Sequence, residues 1–303
     1  SKGYGMADWT RQIHNTAETE FPFPFVGNVE FATAAILQLE QAGKLHDADK
    51  ICTYIPHCPA AWAPITVHEL LTSSTGILDY VNTPPAGFSF DESFTLRALV
   101  DRLGALPLRH KPGVRFPSTA EAPIEEYLVE RISGESFAEY VQQRLLGPLG
   151  LMHTGYFPHF LTSRQYATSY KSWQVRAAAQ DASALGGAMY STVTDFYRWQ
   201  TALLGGHVLS AAATSRLRAI AFGSCPPTCP ASGQSAPAGA SGPTVISQGL
   251  RVFLSGGIYA GGAGAWITYY PAMKVSLIVL ANQAEPKWLG SLTGSTLLPS
   301  IFR

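Results

Sequence analysis

AWITYYPAMKVSLIVLANQ, residues 265–283, holds two β-type runs, Ala265–Tyr270 and Val275–Ala281, on either side of Pro271. Aromatic and β-branched residues interrupted by a proline predict two strands joined by a turn. Val245–Leu254 has the same character and predicts another strand. At the opposite end, SKGYGMAD at 1–8 opens abruptly in strand-like sequence and runs into a polar loop. Between the ends the patterns are helical. ATAAILQLEQAGKL at 32–45 brings Ala35, Ile36 and Leu39 to helical spacing and offers Gly43 as a stop. Thr66-x-x-Glu69 reads as a capping box opening a short helix at 68–71. Further helical patterns fall near 92–103, 121–132, 136–146, 193–204 and 211–220. Strands at the ends and helices in the middle predict an α/β (α+β) architecture. Residues 1–25 and 223–303 form its antiparallel sheet region, and 26–222 its mainly helical region. The seam Gly223–Pro243 is rich in Cys, Pro, Ser, Gly and Ala, reads as exposed loop, and is too long for an ordinary connection.

Composition narrows the function. Hydrophobic residues make up 46% of the 303 residues and charged residues 14%, which excludes a disordered chain and points to a large core. Lys+Arg and Asp+Glu balance at 21 each, so no net field favours nucleic acid or an anionic membrane. No run of apolar residues is long enough for a transmembrane helix, and no signal peptide is present. Cys52, Cys58, Cys225 and Cys229 lack the spacing of a zinc ribbon and are too few for a disulfide scaffold. They predict ordinary thiols or at most one or two bridges. Neither a His-x3-His nor a His-Glu-x-x-His pattern occurs, so no metal is expected. There is no Gly-x-Ser-x-Gly elbow, which argues against an α/β-hydrolase.

Six segments, in order, carry a resemblance. They are SKGYGMAD at 1–8, TAAILQLEQAGKL at 33–45, ITVHELLTSSTGILDY at 65–80, ERISGESFAEYVQQRLLGPLGLMHTGY at 130–156, GGAMYSTVTDFYRWQTALLGG at 186–206, and AWITYYPAMKVSLIVLANQ at 265–283. Together they resemble the serine β-lactamase and penicillin-binding-protein-like hydrolases, nearest the class C β-lactamase, D-aminopeptidase and family VIII esterase branch. The resemblance implies an antiparallel sheet flanked by helices plus an all-helical region, with the active site in the cleft between them. It also implies a family strand, and often a helix, ahead of the point where this chain begins. The implied chemistry is acyl transfer through a serine ester, without a cofactor, on a small-molecule ester, a β-lactam or a D-amino-acid peptide. Family habit places such proteins outside the bacterial cytoplasm.

The family's catalytic residue types are missing from the matching positions. Its Ser and Lys, one helical turn apart so that both face the cleft, fall on Val26 and Val29 when counted back from Thr33-Ala34-Ala35-Ile36. Setting Gly27 on the family glycine puts Asn28 at the Ser position instead. None of the seven Lys residues has a Ser three positions earlier, and Thr168 before Lys171 lies in a segment that reads as surface loop. In RFPSTAEAPIEEYLVER at 115–131, the Tyr and Asn of the second motif fall on Ser118 and Ala120, and Ser118 with Glu121 reads as a helix cap. The third motif, Lys or His then Thr or Ser and Gly, falls on Leu254-Ser255-Gly256-Gly257. Ser255 there stands at the Lys or His position, and Gly256 and Gly257 suit close approach of a ligand to backbone, or a bulged edge. Tyr80-Val81-Asn82 and His153-Thr154-Gly155 spell the second and third motifs but lie in the wrong segments.

Loss of one member of such a catalytic unit commonly costs about 10⁴- to 10⁶-fold in turnover, and losses within one unit do not add. With these residues the chain is expected to form no acyl-enzyme, and its cleft to bind at best. Two alternatives accompany that expectation. Each disrupted segment differs by about one residue in length from its well-matched flanks, the mark of local reading-frame slips around an active hydrolase. A noncovalent hydrolase using Glu30, Glu121 or Ser118 is the other.

Overall fold

The alanine- and leucine-rich segment around residue 35 becomes the helix about which the rest is arranged. In a computed structural model, residues 1–23, 26–80, 83–88, 94–114, 118, 120–156, 165–172, 175–176, 189–222, 244–247, 250–259, 263–270 and 274–283 are described. The seam 223–243, with Cys225 and Cys229, lies outside them, as do Pro271, Val81 and Asn82. The chain opens with short strands β1 (Met6–Asp8), β2 (Ile13–His14) and β3 (Phe21–Pro22), followed by helix α1 (Val26–Gln41). Helices α2 (Val67–Leu71), α3 (Leu96–Gly104), α4 (Glu121–Ser133) and α5 (Phe137–Tyr140) come next, and α5 continues through wider π-type turns over Val141–Leu146. Strands β4 (Gly155–Tyr156), β5 (Tyr170–Ser172), β6 (Val175–Arg176) and β7 (Met189–Ser191) lead to α6 (Val193–Gly205) and α7 (Ala211–Phe222). The chain then forms β8 (Thr244–Ser247), β9 (Leu250–Tyr259), β10 (Ala263–Tyr270) and β11 (Val275–Ala281).

Phe31, Ala32, Ala34, Ala35, Ile36 and Leu37 in α1 are all fully buried. A helix apolar on every side belongs inside a core rather than on a surface. It packs against α4, α7, the π-type turns and β9. Phe31 lies on Trp199 of α6 with ring centroids 4.1 Å apart, and Phe23 on Phe196 at 4.4 Å. Gly43, at φ +67°, ends α1 in the left-handed region that a β-carbon disfavours. Start signals are equally local. Thr66 and Glu69 form the reciprocal cap of α2, Ser136 and Glu139 that of α5, and Thr192 accepts the Asp195 N–H at the start of α6.

The main sheet has the order β11-β10-β9-β8 and is antiparallel throughout. Ala263, Ala265 and Ile267 of β10 are fully buried, and Ala265 and Ile267 belong to the main apolar core. The single strand expected over 245–254 is instead two paired strands, with Ser247 opposite Leu250. Gln248-Gly249, between the two strands in sequence, was the turn signal available. β1 pairs with β2 rather than with the main ladder. Its connection to that ladder is Asn282, one residue beyond β11. The Asn282 amide donates to the carbonyls of Met6 (3.1 Å), Ala7 (3.3 Å) and Thr168 (2.9 Å).

Cys52 and Cys58 are joined in a disulfide. The bridge closes the turn that buries Ile55 and leads to the fully buried Trp62. The Ile51 N–H donates to Ile65 (3.0 Å), holding both ends of this segment against each other.

Candidate functional site

The three short stretches singled out in the sequence lie in α1 itself, in a strand that packs on α1, and just ahead of a helix that packs on α1. Val26 is the first residue of α1, and Gly27, Asn28 and Val29 complete its first turn. β9 packs on α1, and in its register Ser255 pairs with Ile267, Gly256 with Trp266 and Gly257 with Ala265. α4 packs on α1 as well, and Ser118 and Ala120 immediately precede it.

Ser118 acts differently from the expected cap. Ala120, not Ser118, occupies the N-cap position of α4, and the Ser118 hydroxyl accepts the Ala120 N–H at 3.1 Å. The same hydroxyl also bonds the side chain of Glu121, the first residue of α4, so the two residues are paired although Ala120 holds the N-cap position. Pro123 is tolerated behind it because the first helical turn has no intrahelical N–H bond to lose.

The carboxyls around these stretches are unusual. Glu121, Glu125 and Glu126 are 4%, 3% and 1% exposed. Burial pushes Glu121 up to about 8, with the Thr75 hydroxyl opposing and the Asp79 charge adding to the rise. Burial likewise holds Glu125 and Glu126 well above the ordinary carboxyl range. Thr75 Oγ1 donates to Glu121 at 2.8 Å and Thr33 Oγ1 to Glu125 at 3.0 Å. Glu30 is turned inward to Trp199 Nε1 (3.2 Å), and burial pushes it up to about 7 against that bond and one from Gln200. Glu30 is thus engaged with α6, and Glu121 with the 73–80 loop.

The Beta-lactamase family model matches residues 1–292. The chain belongs to the β-lactamase family. Among its relatives, a Bacillus subtilis (strain 168) protein whose name, PbpX, places it among penicillin-binding proteins is 30% identical over 217 residues, covering 69% of this chain and 53% of the relative. A teichoic acid D-alanine hydrolase of Staphylococcus aureus (strain MRSA252) is 27% identical over 172 residues, covering 56% of this chain and 41% of the relative. The chain spans about half or less of the length of these two relatives. The octameric penicillin-binding protein homologue from Pyrococcus abyssi has the same fold, with a TM-score of 0.77 at 21% identity over 96% of this chain and 69% of that one. The expected β-lactamase/transpeptidase-like architecture is the observed one.

In this β-lactamase-family chain the two misplaced motif matches have structural roles. Tyr80 is fully buried, its ring edge-on to Phe88 at 5.3 Å. The His153 N–H donates to Asp195 (2.8 Å) and its ring meets Glu20 (3.2 Å), while Thr154 is buried against Ser191 at 2.9 Å. Among the described residues no three His, Cys, Asp or Glu side chains converge as metal ligands. Likewise no described helix is long and apolar enough to cross a membrane. Glu125 and Glu126 escaped sequence reading because charges spread around a helix ordinarily mark a solvated surface. Three acids within six residues of a helix in the middle of a large apolar chain were the available signal.

Proposed function

We propose that this chain, with the residues it carries, is a ligand-binding member of the β-lactamase family that forms no acyl-enzyme. Its ligands are acyl-D-amino-acid peptides or esters and the β-lactams that share their carbonyl and carboxylate groups. The observation carrying the reading is that valines, at 26 and 29, stand one helical turn apart at the start of α1, the helix on which β9 packs. A valine offers neither a nucleophile nor a proton acceptor, and Ser118, Ala120 and Ser255 supply no base to replace one. What remains is a strand whose glycines, Gly256 and Gly257, let a ligand approach the backbone closely. Relatives named as a penicillin-binding protein and as a teichoic acid D-alanine hydrolase support the ligand class. The Cys52–Cys58 bridge supports a place outside the cytoplasm, where disulfides persist.

The test is calorimetric titration with benzylpenicillin and with an acyl-D-alanyl-D-alanine peptide, followed by chromatography of the recovered ligand. Saturable heat with the ligand returned intact is expected. A ring-opened or cleaved ligand, or no heat with either compound, defeats the reading.

One observation favours a second reading. Glu121, Glu125 and Glu126 occupy buried positions of a helix whose later turns are family-like, and an acid without a cation is an unfavourable core residue. A local reading-frame slip across 116–130, and another across 21–34, produces such residues in an active serine hydrolase. Sequencing the gene over these two stretches separates the readings. An unbroken frame encoding Val26, Val29 and Glu125 removes the second.

A further inference from the structure

The first two turns of α4 pose a physical question independent of what the cleft binds. Three carboxyls are enclosed there, and the charges that act on them among the described residues are negative. Asp79 acts on Glu121, Glu121 on Glu125, and Glu125 with Glu130 on Glu126. Glu126 Oε1 is buried with no hydrogen-bond partner among the described residues. An isolated carboxylate in such surroundings is so unfavourable that the group keeps its proton instead.

The neighbouring elements offer hydroxyls and further acids. From α1, Thr33 donates to Glu125, and from the 73–80 loop Thr75 donates to Glu121 while the Asp79 carboxyl and Tyr80 phenol face the cluster. From β4 comes the Tyr156 phenol, itself held protonated by burial and by Glu126. Arg109 and His110 lie against the 73–80 loop, their backbone N–H groups donating to the Gly76 carbonyl at 2.7 and 3.4 Å. Arg97 of α3 is bound to Asp101 (2.7 Å) and Tyr127 (3.1 Å), and His68 of α2 to Asp47 (3.0 Å). Glu69 of α2 and Glu139 of α5 serve as helix caps. The Thr33 and Thr75 bonds also tie α4 to α1 and to the 73–80 loop, and the Ser118 hydroxyl bonds Glu121 from just ahead of α4.

We infer that the start of α4 is a proton-operated clasp. With Glu121, Glu125 and Glu126 in the acid form, α4 stays seated on α1 and on the 73–80 loop; as these groups ionise the seat loosens. The inference goes beyond the proposed ligand binding and does not rest on it. Its sign follows from linkage. In the unfolded chain these carboxyls lose protons near the ordinary glutamate value of about 4.3. In the folded chain they hold them to higher pH, to about 8 for Glu121. Their contribution is complete below the unfolded value and is lost as pH rises through the folded one. Each group that keeps its proton on folding weakens the folding equilibrium by up to about tenfold per pH unit across that window.

The experiment is urea unfolding of the full chain in steps from about pH 5 to about pH 8, with Glu125→Gln and Glu126→Gln alongside. The wild-type midpoint should fall as pH rises, and each Gln variant should flatten that fall by close to one proton. A midpoint that is constant or rises with pH overturns the inference, and so does a fall that both variants leave unchanged. Infrared spectroscopy of the native wild-type chain covers the case of a variant that does not fold. A protonated-carboxyl band surviving at neutral pH, bleached together with the loss of native structure, is expected. Its absence in the native protein at about pH 6 overturns the inference.

Discussion

Reducing the Cys52–Cys58 bridge should destabilise the native chain by an amount fixed by loop length. The two cysteines are six residues apart in sequence. By the chain-entropy relation a closed loop of that size removes about 2 kcal/mol of unfolded-state freedom at about 25 °C. The native segment is ordered with or without the bond, because the Ile51 N–H donates to Ile65 and Ile51, Ile55 and Trp62 remain buried. The loss therefore falls on the unfolded chain rather than on native packing. At roughly 2 °C per kcal/mol, suitable for a chain of this length, the melting temperature should drop by about 4 °C. The assay is thermal unfolding followed by circular dichroism, with and without a phosphine reductant, repeated on the Cys52→Ser/Cys58→Ser double variant. Reductant should shift the wild type and leave the variant unmoved. A wild type that does not shift, with intact mass showing both thiols free beforehand, refutes the reasoning. A drop much larger than the loop can explain would place the energy in native packing instead.

Asn282→Leu should cost about 1–3 kcal/mol in urea unfolding, because it removes the amide that serves the Met6, Ala7 and Thr168 carbonyls. Amide exchange in β1 should accelerate with it. Trp199→Phe keeps a ring against Phe31 but removes the donor to Glu30, so the Glu30 carboxyl should titrate above its present value of about 7. Because that value is already raised, the stability tied to Glu30 is present below the unfolded value of about 4.3 and lost as pH rises through the folded one. Carbon-detected NMR of labelled glutamate follows this directly. Asp8 has the opposite sign. Burial raises it, but bonds from the Arg11 N–H, Thr168 and the Arg11 guanidinium outweigh that and hold it at about 2. Its contribution is present above the unfolded value of about 3.9 and fades as pH falls through the folded one. Asp8→Asn should therefore lessen acid unfolding while leaving the alkaline limb unaltered.

Much of the fold was legible because its signals are local. Thr66 and Glu69 cap α2 as their spacing implies, Gly43 stops α1, and the runs on either side of Pro271 are β10 and β11 in register, Tyr270 opposite Val275. Features that depend on distant partners were not legible. Four cysteines admit several pairings, and only the turn over Ile55 brings Cys52 to Cys58. Asn282 is an ordinary polar residue in sequence and becomes a junction because three carbonyls from two other segments arrive beside it. α1 extends six residues ahead of Ala32 across Val26, Gly27 and Asn28, where a glycine and an asparagine weaken the helical pattern. The candidate site was readable as three short stretches, but the packing of β9 and α4 on α1, which relates them, appears only in the fold. The burial of Glu125 and Glu126 was not legible either, since a charge-bearing helix ordinarily faces solvent and only its neighbours show otherwise.

The measurement that bears most directly on the account is intact-mass analysis after incubation with a fluorophosphonate and, separately, with benzylpenicillin. The account predicts an unmodified mass with both reagents at full occupancy of the fold, checked by circular dichroism on the same sample. A stoichiometric adduct, mapped to any residue of the first turn of α1, of 118–120 or of β9, would contradict it.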